Sequence, residues 1–498
     1  MRRYLSRNPE LVIALIAAYY LLAVVVRVVR SPGLEVDESQ AALSQFFLWG
    51  YGSQPPLFEW LQLGLAKIIG MSIATLSILK NSVLFLSCLF IWLTARLLTG
   101  DRFLSGAAAL GVLTLPPIFL MAQRDLTHSL LAVLAVGLFL YAFFRTLKRP
   151  SLGNYLLAGL AVGIGTLSKY NFVLVPLAAI LAVLPEKELR ARVPDWRMLV
   201  AIAVSVMIVL PHGLWVLDNM GLATGQTIGE MTEGHETTAF HGLSGALDLI
   251  IAALKGSAVT LAVFAALFYR DIRRILPASN QWTRVTGRIL LISLLIVLVI
   301  VFALDVTNVR QKWLIVYLVL LPLYISLKIH AAGVDVTPKL PGMVAATSAL
   351  TIGVLIMLLF RGLVTPYYGR FSLIHIPYDT FAQTVRRDGF PEPRYVIAPS
   401  GLVGGNLKIQ FPQATVFIGN PATDEAPSNW AAGATVLIVG TDLEGQLSQN
   451  PGAELAAMAS QAGLPAPGDI RHLEVPYAGS NGAKRHAFSY AWTVAGAK

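Results

Sequence analysis

Apolar runs of membrane-spanning length recur along this chain, and they leave few folds open. Residues 11–29 (LVIALIAAYYLLAVVVRVV) form one such run, and crossing a bilayer takes ~20 predominantly apolar residues. Comparable runs follow near 76–95, 103–121, 128–144, 153–167, 171–184, 198–216, 246–268, 288–304, 313–329 and 343–363. The expectation is therefore a polytopic α-helical membrane protein of about eleven transmembrane helices. Composition agrees: 55% of the 498 residues are hydrophobic and 13% charged, against roughly 25% charged in soluble domains. A water-soluble fold is excluded. The formal charge of +10 does not point to nucleic acid, because the positive residues are distributed by topology. The single cysteine, Cys88, rules out an intramolecular disulfide and a cysteine-built metal site. The first run has a basic flank, Arg2-Arg3 and Arg7, without a small-residue cleavage pattern behind it. It reads as a retained helix, not a removed signal peptide.

Alternate connections are rich in Lys and Arg, which sets orientation by the positive-inside rule. Arg96 and Arg102, Arg145 and Lys148, Arg190 and Arg192, Arg270 and Arg273, and Lys328 and Lys339 belong to the basic set. The N-terminus is thus expected in the cytoplasm, and an odd number of spans puts the C-terminus outside. Arg27 and Arg30, at the outer end of the first span, run against the rule. They either snorkel to headgroups or serve an anionic ligand.

Two domains are expected: a membrane domain over 1–365 and an outer α/β domain over 366–498, where the composition becomes that of a soluble protein. Its candidate strands are 395–398, 414–418, 435–439, 470–475 and 486–494, and its candidate helices 378–387, 404–411, 443–449 and 453–463. Strands alternating with helices suggest a layered α/β fold. Gly401-Leu402-Val403-Gly404-Gly405-Asn406 follows a strand but lacks the spacing of a dinucleotide fingerprint. It reads as a turn.

The outer connections carry the chemistry. Asp37-Glu38 stands just beyond the first span, where ionisable side chains at a membrane face mark a site more often than a packing choice. Two short amphipathic stretches within 38–70, on either side of Pro55-Pro56, look like helices lying in the interface plane. A polar loop over 217–245 holds Glu230, Glu233, His235, Glu236 and His241. That set supplies oxygen and nitrogen ligands for a divalent cation, but without helical His spacing it reads as a polar loop, and no metal ligands are assigned.

Four segments resemble the GT-C glycosyltransferases of family 39, which include protein O-mannosyltransferases, aminoarabinose transferases of lipid A and rhizobial galacturonosyltransferases. Asp37-Glu38 stands where that family has an Asp-Glu pair in its first outer loop. Tyr51-Gly52-Ser53-Gln54-Pro55-Pro56-Leu57 is similar to its aromatic-x-x-x-Pro-Pro-Leu element. Gly159-Leu160-Ala161 through Ser168-Lys169-Tyr170 is similar to its Gly-Leu-Ala…Ser/Thr-Lys segment. Arg310-Gln311-Lys312-Trp313-Leu314, followed by Leu320-Leu321-Pro322-Leu323, is similar to its Arg-Trp/Tyr-Leu…Leu-Pro-Leu segment. Two departures stand out. Ser53-Gln54 replaces the Glu-Lys that aminoarabinose transferases carry before Pro-Pro, and Leu126-Thr127-His128 stands where the family often has Asp after Thr.

The resemblance implies an inverting transferase at the outer face of a bacterial inner membrane, using a polyprenyl-phosphate sugar donor and a lipid A, lipopolysaccharide core or other periplasmic acceptor. Such transfer needs a carboxylate to take the acceptor proton and cations to stabilise charge on the leaving phosphate. Asp37 is the candidate base, with Glu38 positioning the acceptor or holding a cation. Lys169, Arg310, Lys312 and Arg124 are the candidate phosphate ligands, and Gln54, Tyr51, His128 and Tyr170 the candidate positioning residues. Asp125 and His128 could alternatively be a helix cap and its partner. A secondary transporter or lipid flippase is the other class considered. It would place ionisable sites near the bilayer midplane in repeated halves, and neither feature is visible here.

Overall fold

The computed structural model describes residues 8–232, 241–419, 430–441, 450–480, 482 and 484–496. The basic residues Arg2, Arg3 and Arg7 and the expected helix over 443–449 lie outside them. Each apolar run named above is helical over most of its length. In chain order the helices are α1 (Leu11–Arg30), α2 (Leu57–Ile69), α3 (Ile73–Thr99), α4 (Arg102–Val112), α5 (Thr127–Lys148), α6 (Leu152–Ser168), α7 (Leu174–Val183), α8 (Arg197–Asp218), α9 (Met220–Thr232), α10 (His241–Phe268), α11 (Gln281–Ala303), α12 (Gln311–Leu318), α13 (Leu320–Ala331) and α14 (Leu340–Leu363). Counting 311–331 as one span, eight helices among the described residues are long and apolar enough to cross a membrane, and three shorter apolar helices cover 102–112, 152–168 and 170–183. The run at 103–121 is not one helix: α4 stops at Val112, and a π turn occupies Pro117–Met121. Pro116 and Pro117 have no backbone N–H with which to continue the ladder.

The chain packs as two compact units. The first comprises Met1–Leu22, Trp49–Phe58 and Lys80–Val354; the second comprises Ala23–Leu48, Glu59–Leu79 and Leu355–Lys498. In the first, α6 lies along α8 with Gly159 against the Ala201 backbone and Gly163 against the Ile208 side chain. Small residues let membrane helices approach this closely.

In the second unit, the stretches flanking the Pro-Pro turn are a 3-10 helix (Asp37–Gln45) and α2. Gln62 Nε2 donates to Ser44 Oγ at 2.7 Å and Trp60 Nε1 to the Leu48 carbonyl at 2.7 Å, tying the two together. Leu61, Ile68 and Ile69 of α2 remain exposed.

The α/β part follows α14 and holds α15 (Tyr378–Arg386), β1 (Tyr395–Ala398), α16 (Gly401–Gln410), β2 (Thr415–Ile418), β3 (Thr435–Thr441), α17 (Pro451–Gln461), β4 (Arg471–Pro476) and β5 (Arg485–Val494). The sheet order is β2-β1-β3-β5-β4. β1 runs parallel to β2 and β3, while β5 runs antiparallel to β3 and β4. One face packs Val396, Leu437 and Phe488 on α15 and α16; the other packs Ile397, Val436 and Ile438 on α17. Burial on both faces explains why β1 and β3 read as continuous apolar runs. The Gly401–Asn406 stretch is not a turn but the first half of α16. Ser400 starts it, its side chain accepting from the Val403 N–H, an N-cap that the low helix propensity of three glycines obscured.

Candidate active site

The acidic pair belongs to the second unit. α1 ends at Arg30, and Asp37 opens the 3-10 helix. Glu38 is 4% exposed. Arg27 Nε donates to Glu38 Oε1 at 2.9 Å and Arg27 Nη2 to Oε2 at 2.6 Å, a two-pronged pair. The same guanidinium donates to the carbonyls of Ser31 at 3.2 Å and Gly33 at 2.9 Å, and the Glu35 N–H donates back to Glu38 Oε2 at 3.1 Å. Glu35 is itself shared: Arg30 Nη2 reaches its Oε1 at 2.9 Å and Arg361 Nη1, from α14, at 2.8 Å. Arg27 and Arg30 therefore hold carboxylates of the loop that follows α1. Asp37, half-buried beside exposed Val36, is the more accessible carboxylate of the pair.

The cations sit in the first unit. Lys169 stands at the break between α6 and the 3-10 turn Tyr170–Val173. Its Nζ donates to Ser129 Oγ on α5 at 2.6 Å. His128, next to Ser129, is buried, with its ring centroid 5.5 Å from that of Phe58. The N-cap position of α5 is Leu126, left-handed at φ 80°. That backbone is uncommon for a branched side chain and stores strain at this turn.

Arg310 is the N-cap of α12, and Lys312 lies in its first turn. This turn is fastened to the Lys169 break, since Asn171 Nδ2 donates to the Trp313 carbonyl at 3.0 Å and Tyr317 Oη to the Asn171 carbonyl at 3.1 Å. The start of α5, the end of α6 and the start of α12 thus meet, bringing Lys169, His128 and the Arg310–Lys312 turn into one region. Tyr170 Oη lies 3.1 Å from His212 Nε2, and His212 Nδ1 lies 2.6 Å from the Trp49 carbonyl. A carbonyl only accepts, so Nδ1 carries the proton and Nε2 accepts from the tyrosine. Tyr51 and Gln54 are half-buried on the turn leading into α2.

Lys80 was missed in the sequence. It is 3% exposed within α3, its Nζ 3.5 Å from the Arg124 carbonyl, and Asn81 beside it accepts from Gln123 at 2.9 Å. An ionisable residue inside an apolar run was the signal for it. Among the described residues, no three His, Cys, Asp or Glu side chains are grouped to hold a metal ion. Glu233, His235 and Glu236 lie outside those residues, and Glu230 and His241 are described by backbone alone.

The eight apolar helices of spanning length among the described residues, together with the likenesses that follow, define an integral-membrane glycosyltransferase of the GT-C class. The structure of ArnT from Cupriavidus metallidurans bound to undecaprenyl phosphate has this fold, with a TM-score of 0.59 at 13% identity over 97% of each chain. Residues 53–215 match the family of dolichyl-phosphate-mannose-protein mannosyltransferases. The lipopolysaccharide core galacturonosyltransferase RgtA of Rhizobium johnstonii is 39% identical over 96% of both chains, and RgtB of the same organism 35% over 98% of both. The chain belongs to the family of these rhizobial galacturonosyltransferases. The transporter alternative is thereby set aside.

Proposed function

We propose that the protein transfers galacturonic acid from a polyprenyl-phosphate donor to lipopolysaccharide core or lipid A at the periplasmic face of the inner membrane, with Asp37 as general base. The sugar and a core acceptor are supported by what the relatives at 39% and 35% identity are named for, a lipid A acceptor by a 25% identical relative named as a lipid A galacturonosyltransferase, and the donor class by the lipid in the ArnT structure. The observation that carries the assignment of the base is the Arg27–Glu38 pair. Both Glu38 oxygens are engaged by one guanidinium, so positioning is the role its geometry supports. Asp37, its half-buried neighbour, is then the carboxylate for proton transfer.

In this reaction an acceptor hydroxyl oxygen attacks the anomeric carbon, and the bond from that carbon to the phosphate oxygen breaks with inversion. Asp37 takes the hydroxyl proton as the new bond forms. Lys169, Arg310, Lys312 and Arg124 stabilise the charge left on the polyprenyl phosphate, through contacts about twice as strong as neutral hydrogen bonds. His128, Tyr170, Tyr51 and Gln54 position the substrates. Residues 1–365 form the transferase domain and 366–498 the periplasmic domain, with the N-terminus cytoplasmic.

The test is turnover in proteoliposomes containing a polyprenyl-phosphate galacturonic acid and lipid A–core. Asp37→Asn keeps the size of the side chain and removes its basicity, so transfer is abolished while the protein inserts and folds. Near wild-type turnover would remove Asp37 as the base.

A further inference from the structure

The glycines of α16 lie within a helix and make no turn, yet one stands where a side chain would not fit. A Cβ on Gly405 would strike the backbone of Ser39, including its carbonyl oxygen. The 3-10 helix that opens with Asp37 therefore rests directly on α16 of the α/β domain, backbone against helix. Three further contacts fix the same segment. Asn406 Oδ1 accepts from the Leu34 N–H at 3.0 Å, and Asn406 Nδ2 donates to the Leu402 carbonyl at 2.9 Å, which sets the orientation of the amide. Gln45, at the far end of the 3-10 helix, brackets the outermost strand β2: its Oε1 accepts from the Val416 N–H at 2.9 Å and its Nε2 donates to the Val416 carbonyl. Leu34 and Ala41 are buried with Leu76, and Ile409 of α16 packs against them.

We infer that the α/β domain is the positioning element of the Asp37 loop: Gly405, Asn406 and Gln45 lock residues 34–45 at both ends and so set where the Asp37 carboxylate stands. The buried arginine pairs hold the loop from α1 and α14, while α16 and β2 hold it from the α/β side. A hydrogen bond from a buried backbone N–H leaves an unsatisfied donor when its acceptor is removed, which drives the segment out of place. The inference rests on Asp37 being the base.

The test uses the full-length enzyme. Asn406→Ala removes the acceptor for Leu34, and Gln45→Ala removes the bracket on β2 without touching the core. Each should lower kcat by about 10-fold with donor and acceptor KM unchanged, and speed hydrogen exchange in residues 34–45 alone. Wild-type kcat in both alanine variants would overturn the inference, as would a loss that comes with globally faster exchange. Asp37→Asn separates the two assignments. If it stays active while Asn406→Ala loses kcat, Asp37 alone fails as the base. If it is dead while both alanine variants turn over normally, the positioning role alone fails.

Discussion

Glu38→Gln tests the buried pair most directly. The side chains of Arg27 and Glu38 are 4% and 3% exposed, with a closest approach of 2.6 Å. At such depth the Coulomb attraction roughly offsets the cost of desolvating two ions, so the intact pair adds little net stability. Removing one partner is different, because it leaves a buried arginine without its counter-charge at a cost of ~3–5 kcal/mol. The glutamine keeps the shape and one acceptor, so the lower end, about 3 kcal/mol, is expected. Spent on opening the loop, that shifts its open-to-closed ratio by about two powers of ten, since 1.4 kcal/mol is tenfold. The assay is hydrogen exchange of the amides around residues 34–40 in detergent, which reports local opening. Exchange there should accelerate about 100-fold, and turnover should fall with it. Arg27→Met combined with Glu38→Met, which removes both charges, should recover most of the protection. Asp37→Asn should leave exchange unchanged while abolishing turnover. Unaltered exchange and turnover in Glu38→Gln would refute the reasoning.

Lys169→Ala and Arg310→Ala should each raise donor KM or lower kcat by ~10-fold or more, about 1.4 kcal/mol of transition-state or binding energy, whereas exposed Arg370 should tolerate alanine. Arg361 is no control for this experiment, since it holds Glu35. If both variants use the donor normally, the phosphate is bound elsewhere. His375 provides a pH prediction: burial pushes its pKa below the ordinary value. It is bonded as a neutral ring, Nδ1 accepting from the Ser372 N–H at 3.0 Å and Nε2 donating to the Gly362 carbonyl at 3.1 Å. Because the folded pKa is below the unfolded ~6.5, the unfolded state binds the extra proton first, and stability falls as pH drops below that value. Thermal unfolding followed from pH 7.5 to 5 should show this loss, and His375→Gln should flatten it; an unchanged slope would remove His375 as its cause.

Much of the architecture is legible in the chain because hydropathy and strand chemistry are local. The runs at 11–29 and 128–144 appear as α1 and α5, and 395–398 is β1 to the residue, a β-branched segment ended by Pro399-Ser400. Where local signals conflict with tertiary contacts, the sequence misleads. Gly401–Asn406 resembles a turn, but Ser400 caps it as a helix that packs on the Asp37 segment. The run at 103–121 resembles a single span, but its paired prolines divide it.

The Asp-Glu pair and the candidate cations stand out from residue type and position alone. Their partners in the fold do not. Arg27 meets Glu38 across eleven residues, Arg361 meets Glu35 across 326, and Asn406 meets Leu34 across 372. An apolar run declares its environment wherever it stands, because burying it depends only on its own surface. A buried charge has a defined role only through the partner that neutralises it, and that partner is chosen by how the chain returns. The sequence by itself therefore determined the membrane fold and a short set of polar residues. Only the tertiary structure decided that Arg27 and Arg30 hold carboxylates, and that the α/β domain grips the loop carrying Asp37.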